Sequence, residues 1–432
     1  FTHSQSLSTG RLVSVLPGVL LPVVVFLWLR RVVETPVAVL GGLFVVFWPI
    51  GIIESQLLRF YSWHVLFFVS GAIAIYLATI ARNRAGLLWL VPAAILWFCA
   101  MALQVTTAIG IVGVLGWAFV VVFFRVIRSP RGRLIGLGLV IALGIAVCLV
   151  AVSTGIAAKA WRLYRWTPLH AAEFRDYYGF YFSTTRHFYG HLWHATPILA
   201  ALALWVRPRL TSFCLTVFVV AFLVHSFGGM KAIRYMSYAM PFLFAIWAIG
   251  LATVVAWAGA AIRRVLPASG RWAGFAVAVV LGLAVVSTST FVPRALMLSQ
   301  GESLPERDVW GAVPEAVGDW TDAPFVATIM ELHTLLHFGP YDLLISPSRL
   351  SELPPEEEFK SDFRTGRPVI GYYDGLEAML NCRRDGLLLT TEDWWFNDFL
   401  GRMMEELLVE MDFDYQVRTS GPITAVRWYG DG

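Results

Sequence analysis

The chain alternates long apolar runs with short, arginine-containing connectors over its first 292 residues. Most of these runs approach the roughly 17–25 residues that an α-helix needs to cross the hydrocarbon layer of a membrane. The pattern therefore predicts ten membrane spans, with one short member. The spans are predicted near residues 12–29, 36–53, 63–81, 86–103, 107–124, 134–158, 195–206 (the short one), 210–228, 237–262 and 272–292.

The pattern changes after Pro293, where short apolar runs alternate with amphipathic segments. Such alternation predicts a layered α/β domain. Strands are predicted at 325–329, 341–346, 368–373, 386–391 and 423–428. Helices are predicted at 331–338, 374–385 and 396–411. We further expect 353–363 to be an exposed acidic loop, and Thr391 or Asp393 to be a helix N-cap rather than part of a ligand site.

The fold class that follows is an α-helical polytopic membrane protein with a C-terminal α/β domain. The transmembrane domain is predicted at 1–292 and the soluble domain at 293–432. The composition agrees with this division, because the chain is 58% hydrophobic and only 14% charged. Only four of the 29 acidic residues precede residue 293, so the first domain carries a net charge of +18 and the second −14.

Arginines also predict the orientation, because cationic connectors of membrane proteins face the cytoplasm. They occur in alternate connectors, at 30–31, 82–84, 125–133, 207–209 and 263–271. The segments 54–62, 104–106, 159–194, 229–236 and 293–432 are then predicted to face outward. The chain itself begins on the outer side in this scheme, so we expect an earlier span upstream of Phe1 and at least eleven spans in the intact protein.

The outward segment 159–194 is unusually rich in Tyr, Trp and Phe, and it carries five cations and four histidines. Aromatic side chains favour the boundary between membrane and water. We interpret the segment as an interfacial platform of one or two short helices, with its cations directed at an anionic ligand. Tyr177, Tyr178, Tyr181 and Trp193 are candidates for stacking on a ligand of this platform.

Two further outward segments place polar residues at the edge of a span. The first contains Glu54, Arg59 and Tyr61, and the second contains Lys231, Arg234 and Tyr235. A charge drawn into the apolar layer costs roughly 2.5–3.5 kcal/mol, so it usually has a partner or a function. For the first segment, the alternative to a functional role is an ion pair of Glu54 with Arg59. For the second, it is contact of the cations with lipid headgroups, whereas a phosphate site is favoured because arginine binds phosphate oxygens with a planar fork of donors.

Three histidines in the aromatic segment, His187, His191 and His194, would share one face if the segment is helical. Contacts with phosphate or sugar hydroxyls are favoured over a divalent metal here, because no carboxylate or cysteine joins them at helical spacing. No cofactor is expected. The sequence lacks a GxGxxG motif and a P-loop, so no nucleotide site is supported, and no nucleic acid partner is expected.

Three segments resemble the GT-C class of membrane glycosyltransferases, namely the protein O-mannosyltransferase and aminoarabinose-transferase group. STGRLVSVLPGVLLPVVVFLWLRR (8–31) resembles their second span. Ser55, Arg59 and Tyr61 match an outward Ser–x–x–x–Arg–x–Tyr segment. A late Arg-Tyr…Pro-Phe segment is matched by Arg234, Tyr235, Pro241 and Phe242. The resemblance covers roughly residues 1–292.

The resemblance implies an enzyme in the plasma (inner) membrane of a prokaryote. It would transfer a sugar from a polyprenyl-phosphate carrier to an acceptor outside the cytoplasm, with inversion. The catalytic acidic residue of the family lies in a loop that would precede Phe1, so no catalytic base is assigned in this chain. Candidate residues for binding the phosphate and the sugar are Arg59, Tyr61, Arg186, His187, Lys231, Arg234 and Tyr235.

Two other functions remain open at this point. The chain could be a non-catalytic membrane subunit that keeps the lipid groove and binds a protein partner through 293–432. A transporter fits less well, because spans with so few acidic residues have little to bind a coupling cation. Membrane lipid and an unidentified acceptor are expected partners under the enzyme hypothesis.

Overall fold

The computed structural model describes residues 7–57, 59–81, 84–127, 129–153, 155–166, 175–267, 272–299, 309–353 and 355–430. These residues form two compact units, one containing the described residues up to 299 and the other containing 309–430. The first unit is helical, and the second combines a sheet with helices.

The described part of the first unit contains thirteen α-helices. They are α1 (Leu7–Arg30), α2 (Thr35–Val46), α3 (Pro49–Gln56), α4 (Tyr61–Ile80), α5 (Leu90–Leu103), α6 (Thr107–Val126), α7 (Pro130–Ser153), α8 (Ile156–Tyr164), α9 (Phe180–Val206), α10 (Pro208–Phe227), α11 (Met240–Val265), α12 (Trp272–Ser287) and α13 (Phe291–Ser299). Two 3₁₀ helices precede α5 and α11, at Arg84–Trp89 and Ile233–Ala239.

Six stretches of helix among the described residues are long and apolar enough to cross a membrane, and the number rises to eight if each of two bent pairs is one span. The bent pairs are α2 with α3, at 54°, and α12 with α13, at 72°. The helical polytopic class is thus confirmed, with six to eight candidate spans where ten were predicted. The predicted 36–53 span is broken because Pro49 begins α3 and holds Trp48 in an extended conformation.

Helix α11 lies in the core of the first unit. Every residue from Met240 to Gly250 is buried, and the helix packs against α2, α9, α10 and α12. Pro241 is tolerated because it occupies the first turn of the helix, where a backbone N–H group would have no hydrogen-bond partner within the helix. The 3₁₀ helix at Ile233–Ala239 is therefore attached directly to a tightly packed element.

Helix α9 is interrupted at Gly190, whose φ of 49° and ψ of −124° are not helical. The glycine is required by close packing, because a Cβ atom built on it would lie 2.1 Å from the carbonyl oxygen of Thr288. Thr290 then bonds the carbonyls that precede the break: its N–H donates to Phe188 O at 3.1 Å and its hydroxyl to His187 O at 3.1 Å. The break in α9 therefore packs against the break between α12 and α13.

We expect Gly190→Ala to destabilise the first unit by about 1–3 kcal/mol, because alanine must adopt a strained backbone conformation beside Thr288. The measurement is thermal unfolding of the purified protein in detergent. Gly282→Ala in α12 is the control, because no atom lies within 4 Å of the added Cβ. Equal melting temperatures for the two variants would contradict this account of the break.

The second unit is built on one seven-stranded sheet. Its strands are β1 (Val326–Thr328), β2 (Leu343–Ile345), β3 (Lys360–Ser361), β4 (Pro368–Ile370), β5 (Asp385–Thr391), β6 (Asp414–Ser420) and β7 (Ile423–Tyr429). The spatial order is β3-β4-β2-β1-β5-β7-β6, in which β4, β2, β1 and β5 are parallel and the outer pairings are antiparallel. Its helices are α14 (Val313–Val317), α15 (Glu331–His337), α16 (Pro347–Leu350), α17 (Tyr373–Cys382), α18 (Glu392–Asn397) and α19 (Phe399–Glu410).

All five predicted strands and all three predicted helices are present, so the α/β class of this unit is confirmed. The N-cap prediction is also confirmed, since the Thr391 hydroxyl accepts a hydrogen bond from Trp394 N at 3.2 Å. The prediction that 353–363 is an exposed loop is confirmed for most of its described residues, and the short strand β3 and two acidic residues depart from it. Glu358 accepts hydrogen bonds from the N–H groups of Gly371 and Tyr372, and burial raises the pKa of its carboxyl group. The side chain of Asp362, which directly follows β3, is fully buried.

Candidate functional site

Two segments that were predicted to face outward, and that lie far apart in the sequence, meet in the first unit. Tyr61 begins α4, and Arg234 and Tyr235 lie in the 3₁₀ helix before α11. The Arg234 guanidinium carbon is 5.5 Å from the centre of the Tyr61 ring and 5.4 Å from that of Tyr235. Contacts of this kind stabilise a cation and orient its donors.

These three residues line a cavity of about 440 Å³. Pockets that bind small molecules usually have volumes of roughly 300–1,000 Å³. The polar part of the lining is Tyr61, Gln104, Thr106, Tyr164, His225, Arg234 and Tyr235. Phe60, Val105 and Trp166 also line the cavity and are exposed, which gives it an apolar rim.

His225 forms a buried part of the wall. Its Nε2 atom lies 3.0 Å from the Tyr238 hydroxyl, and its ring stacks on Tyr235. Nearby, Gln104 Oε1 and Thr106 Oγ1 are buried and have no hydrogen-bond partner. The cavity wall therefore combines one cation with neutral side chains that have unused hydrogen-bonding capacity.

The first residues of the aromatic segment 159–194 contribute to this site. The Tyr164 carbonyl accepts a hydrogen bond from Gly229 N at 2.9 Å, and the Tyr164 hydroxyl donates to the carbonyl of Val224. Arg165 donates to Phe227 O at 2.8 Å and pairs with Asp176. These bonds attach the segment to the turn that follows α10. The part of the segment at 167–174 lies outside the described residues.

Lys231 is buried beside the cavity and stabilises this turn. Its ammonium group donates to the carbonyl of Gly228 and to that of Arg175, the latter at 3.0 Å. Burial and the neighbouring Arg165 charge lower the pKa of Lys231, and Asp176 opposes this shift. The structure thus gives Lys231 two backbone partners, and Lys231 does not line the cavity around Arg234.

Glu54 is only 3% exposed and lies behind Arg234. Its carboxylate accepts a hydrogen bond from the Ser237 hydroxyl, on the same 3₁₀ helix as Arg234. The ion pair with Arg59 that the sequence allowed is not formed. Glu54 also lines a second, mainly apolar cavity of about 390 Å³, together with Ser55 and Ser62.

The other candidate residues do not line the cavity around Arg234. Arg59, Arg186 and His187 are exposed on the surface of the first unit. The Arg59 carbonyl accepts a bond from the Ser14 hydroxyl at 3.0 Å, which connects its loop to α1. Of the predicted stacking residues, Tyr181 and Trp193 are buried in the core, whereas Tyr177 and Tyr178 are exposed.

The histidine spacing does not place His187, His191 and His194 on one helix face, because the break at Gly190 separates His187 from the other two. Within the described part of the chain, no group of three or more His, Cys, Asp or Glu side chains is arranged to hold a metal ion.

Gln104, Thr106 and His225 line the cavity but were not among the candidates predicted from the sequence. The segment 104–106 was predicted to face outward, but neutral residues in a short connector give no signal of their own. His225 had a usable signal, since an ionisable residue inside a membrane span is a functional candidate by default.

No protein-family model matches the chain, and no curated protein matches its sequence. Its structure is similar to ArnT from Cupriavidus metallidurans in the apo state, with a TM-score of 0.57 and 15% identity over 96% of this chain and 83% of that one. ArnT bound to undecaprenyl phosphate gives a TM-score of 0.53 and 14% identity over 97% of this chain and 83% of that one.

The oligosaccharyltransferase of Archaeoglobus fulgidus, tethered to an acceptor peptide containing the NVT sequon, gives a TM-score of 0.51 and 12% identity over 99% of this chain and 63% of that one. Both kinds of protein are GT-C glycosyltransferases, so the chain has a GT-C-like fold, as its motifs predicted.

Proposed function

We propose that this chain, which has a GT-C-like fold, binds a sugar carried on a polyprenyl phosphate. It would transfer the sugar to an acceptor outside the cytoplasm. The observation that carries this proposal is the position of Arg234, held between Tyr61 and Tyr235 in the wall of the 440 Å³ cavity. No carboxylate is among the described residues that line this cavity. Its charge therefore favours an anionic ligand.

The chemistry of the wall favours phosphate among anions. Arginine presents planar, parallel donors that match two phosphate oxygens at once. Hydroxyl groups of Tyr61 and Tyr235 lie on the same wall and can donate to a third oxygen. The similarity to an ArnT structure that contains undecaprenyl phosphate supports a polyprenyl phosphate as the ligand class.

The rim favours a lipid-linked phosphate over a soluble one. Phe60, Val105 and Trp166 are exposed at the cavity in a unit made of candidate membrane helices. A prenyl chain leaving the cavity would cover these side chains and gain hydrophobic free energy in proportion to the apolar area removed from water.

The proposed reaction is a single displacement. The acceptor hydroxyl attacks the anomeric carbon opposite the phosphate, a new carbon–oxygen bond forms, and the bond between the anomeric carbon and the phosphate oxygen breaks with inversion. Polyprenyl phosphate leaves with the bonding electrons, and Arg234 stabilises the charge that develops on it. The acceptor proton passes to a carboxylate outside the described lining of the cavity.

One observation favours a second candidate function, a carrier-binding subunit without transferase activity. The only buried carboxylate near Arg234 among the described residues, Glu54, bonds Ser237 and lines the other cavity. Under that alternative the purified chain binds the carrier and transfers no sugar to any acceptor.

Binding of undecaprenyl phosphate and of undecaprenol to the purified chain in lipid nanodiscs tests the proposal. We expect the phosphate form to bind at least about tenfold more tightly, because only it interacts with Arg234. Equal affinities for the two lipids would overturn the proposal. Release of undecaprenyl phosphate from a sugar-loaded carrier, measured with an acceptor present, then separates the enzyme from the binding subunit.

A further inference from the structure

We propose that Gln104 and Thr106 recognise hydroxyl groups of the carried sugar, so that the cavity around Arg234 binds a sugar phosphate in preference to the bare lipid phosphate. This inference rests on the proposed function and assigns the residues that would select its substrate. The two side chains lie in the connector between α5 and α6 and line the same cavity as Arg234.

Both side chains have unused hydrogen-bonding capacity. Gln104 Oε1 and Thr106 Oγ1 are buried from water and have no partner in the protein. A buried polar atom without a partner costs about 1–3 kcal/mol, which a ligand recovers when it supplies the missing bond. Other atoms of this kind occur among the described residues, but these two belong to side chains that line the same cavity as Arg234, so one ligand can bond both.

Hydrogen bonds of neighbouring residues hold the surrounding connector in place without these two groups. Thr106 is the N-cap residue of α6, yet its side chain makes no capping bond. The neighbouring Thr107 hydroxyl instead holds the turn, by approaching His64 Nε2 at 2.7 Å and donating to the carbonyl of Ala100 at 3.3 Å. The Gln104 amide and the Thr106 hydroxyl are therefore presented on a rigid backbone.

The two side chains fit a sugar hydroxyl better than a phosphate oxygen. A phosphate oxygen is only an acceptor, so it cannot satisfy an amide oxygen. A sugar hydroxyl both donates and accepts, and it satisfies the Gln104 amide in either orientation as well as the Thr106 hydroxyl. In this arrangement Arg234 binds the phosphate of the ligand, and Gln104 and Thr106 bind the hydroxyl groups of its sugar.

The test is a selectivity ratio measured on the full chain in nanodiscs. The probes are undecaprenyl phosphate and undecaprenyl-phosphate monosaccharides carrying glucose, mannose, galactose or arabinose. For the wild-type chain we expect at least one sugar phosphate to bind about tenfold more tightly than undecaprenyl phosphate. The double variant Gln104→Leu, Thr106→Val should bind all probes as tightly as wild type binds the bare phosphate.

Two outcomes separate this inference from the proposed function. If the wild-type chain binds undecaprenyl phosphate but prefers no sugar phosphate over it, the inference fails and the phosphate site stands. If no phosphate probe binds more tightly than undecaprenol, both fail. Thr106→Ser controls for folding, because it keeps the hydroxyl and should retain the preference; loss of preference in that variant would contradict a role for the hydroxyl.

Discussion

Replacing Arg234 by glutamine is expected to weaken the binding of undecaprenyl phosphate about 10- to 100-fold. The substitution removes the only Arg or Lys side chain among the described residues that line the cavity. Transfer should fall further than binding, by roughly 100- to 1,000-fold, because charge on the phosphate grows as the bond to the sugar breaks. Equilibrium binding and single-turnover transfer measure the two effects separately.

Arg186→Gln is the matched control for this prediction, because Arg186 is an exposed arginine that does not line the cavity. It should leave both measurements within about twofold of wild type. Arg234→Lys keeps the charge and loses the planar fork, so an intermediate defect is expected. Equal effects of Arg234→Gln and Arg186→Gln would show that the cavity does not hold the phosphate.

The second large effect is expected in the α/β unit, where Arg349 joins three acidic residues. Its guanidinium lies 3.5 Å from Asp362, 3.7 Å from Glu331 and 2.5 Å from Glu352. The Asp362 side chain is completely buried. Arg349→Met would leave this carboxylate without its cationic partner, and we expect the unit to lose about 3–5 kcal/mol of stability.

Chemical denaturation of the full chain, followed by tryptophan fluorescence, measures this loss. Arg364→Met is the control, because Arg364 pairs with the same Glu331 at 3.0 Å but is 46% exposed. An exposed pair contributes about 0–1 kcal/mol. A similar loss in both variants would mean that the burial of Asp362 does not govern the contribution of Arg349.

The strands of the α/β unit could be predicted where their side chains are buried. β1, β2 and β5 are buried on nearly every position, so each appears in the sequence as an apolar run. β6 (DYQVRTS) was missed because it lies at the edge of the sheet and is mostly exposed. β3 has only two residues and is too short to leave a pattern.

The membrane helices illustrate a different limit. Apolar runs predicted the helices, but a run does not reveal a change of direction within it. The bends after α2 and α12 depend on local backbone geometry. Each is followed by a proline in the first turn of the next helix, Pro49 in α3 and Pro293 in α13, but a proline does not by itself give the angle of the bend. The break at Gly190 depends on Thr288, about a hundred residues away in the sequence.

For the site, the sequence identified the charged and aromatic members but not their contacts. Tyr61, Arg234 and Tyr235 were singled out by their position at the edges of spans, and they meet at one cavity. Arg59, Arg186 and His187 had the same signal and lie elsewhere. Helix packing decides which outward residues converge, and periodicity carries no information about it.

Photo-crosslinking with an undecaprenyl phosphate analogue that carries a diazirine next to the phosphate tests the central claim most directly. Bound to the full chain in nanodiscs and mapped by peptide mass spectrometry, the label should concentrate on residues 60–61, 104–106 and 234–235, and excess undecaprenyl phosphate should remove it. Two results would contradict the assignment of the carrier phosphate to Arg234. One is a label that excess undecaprenyl phosphate removes but that lies on the exposed part of α9 around Arg186, and the other is a label spread over the chain without a preferred position.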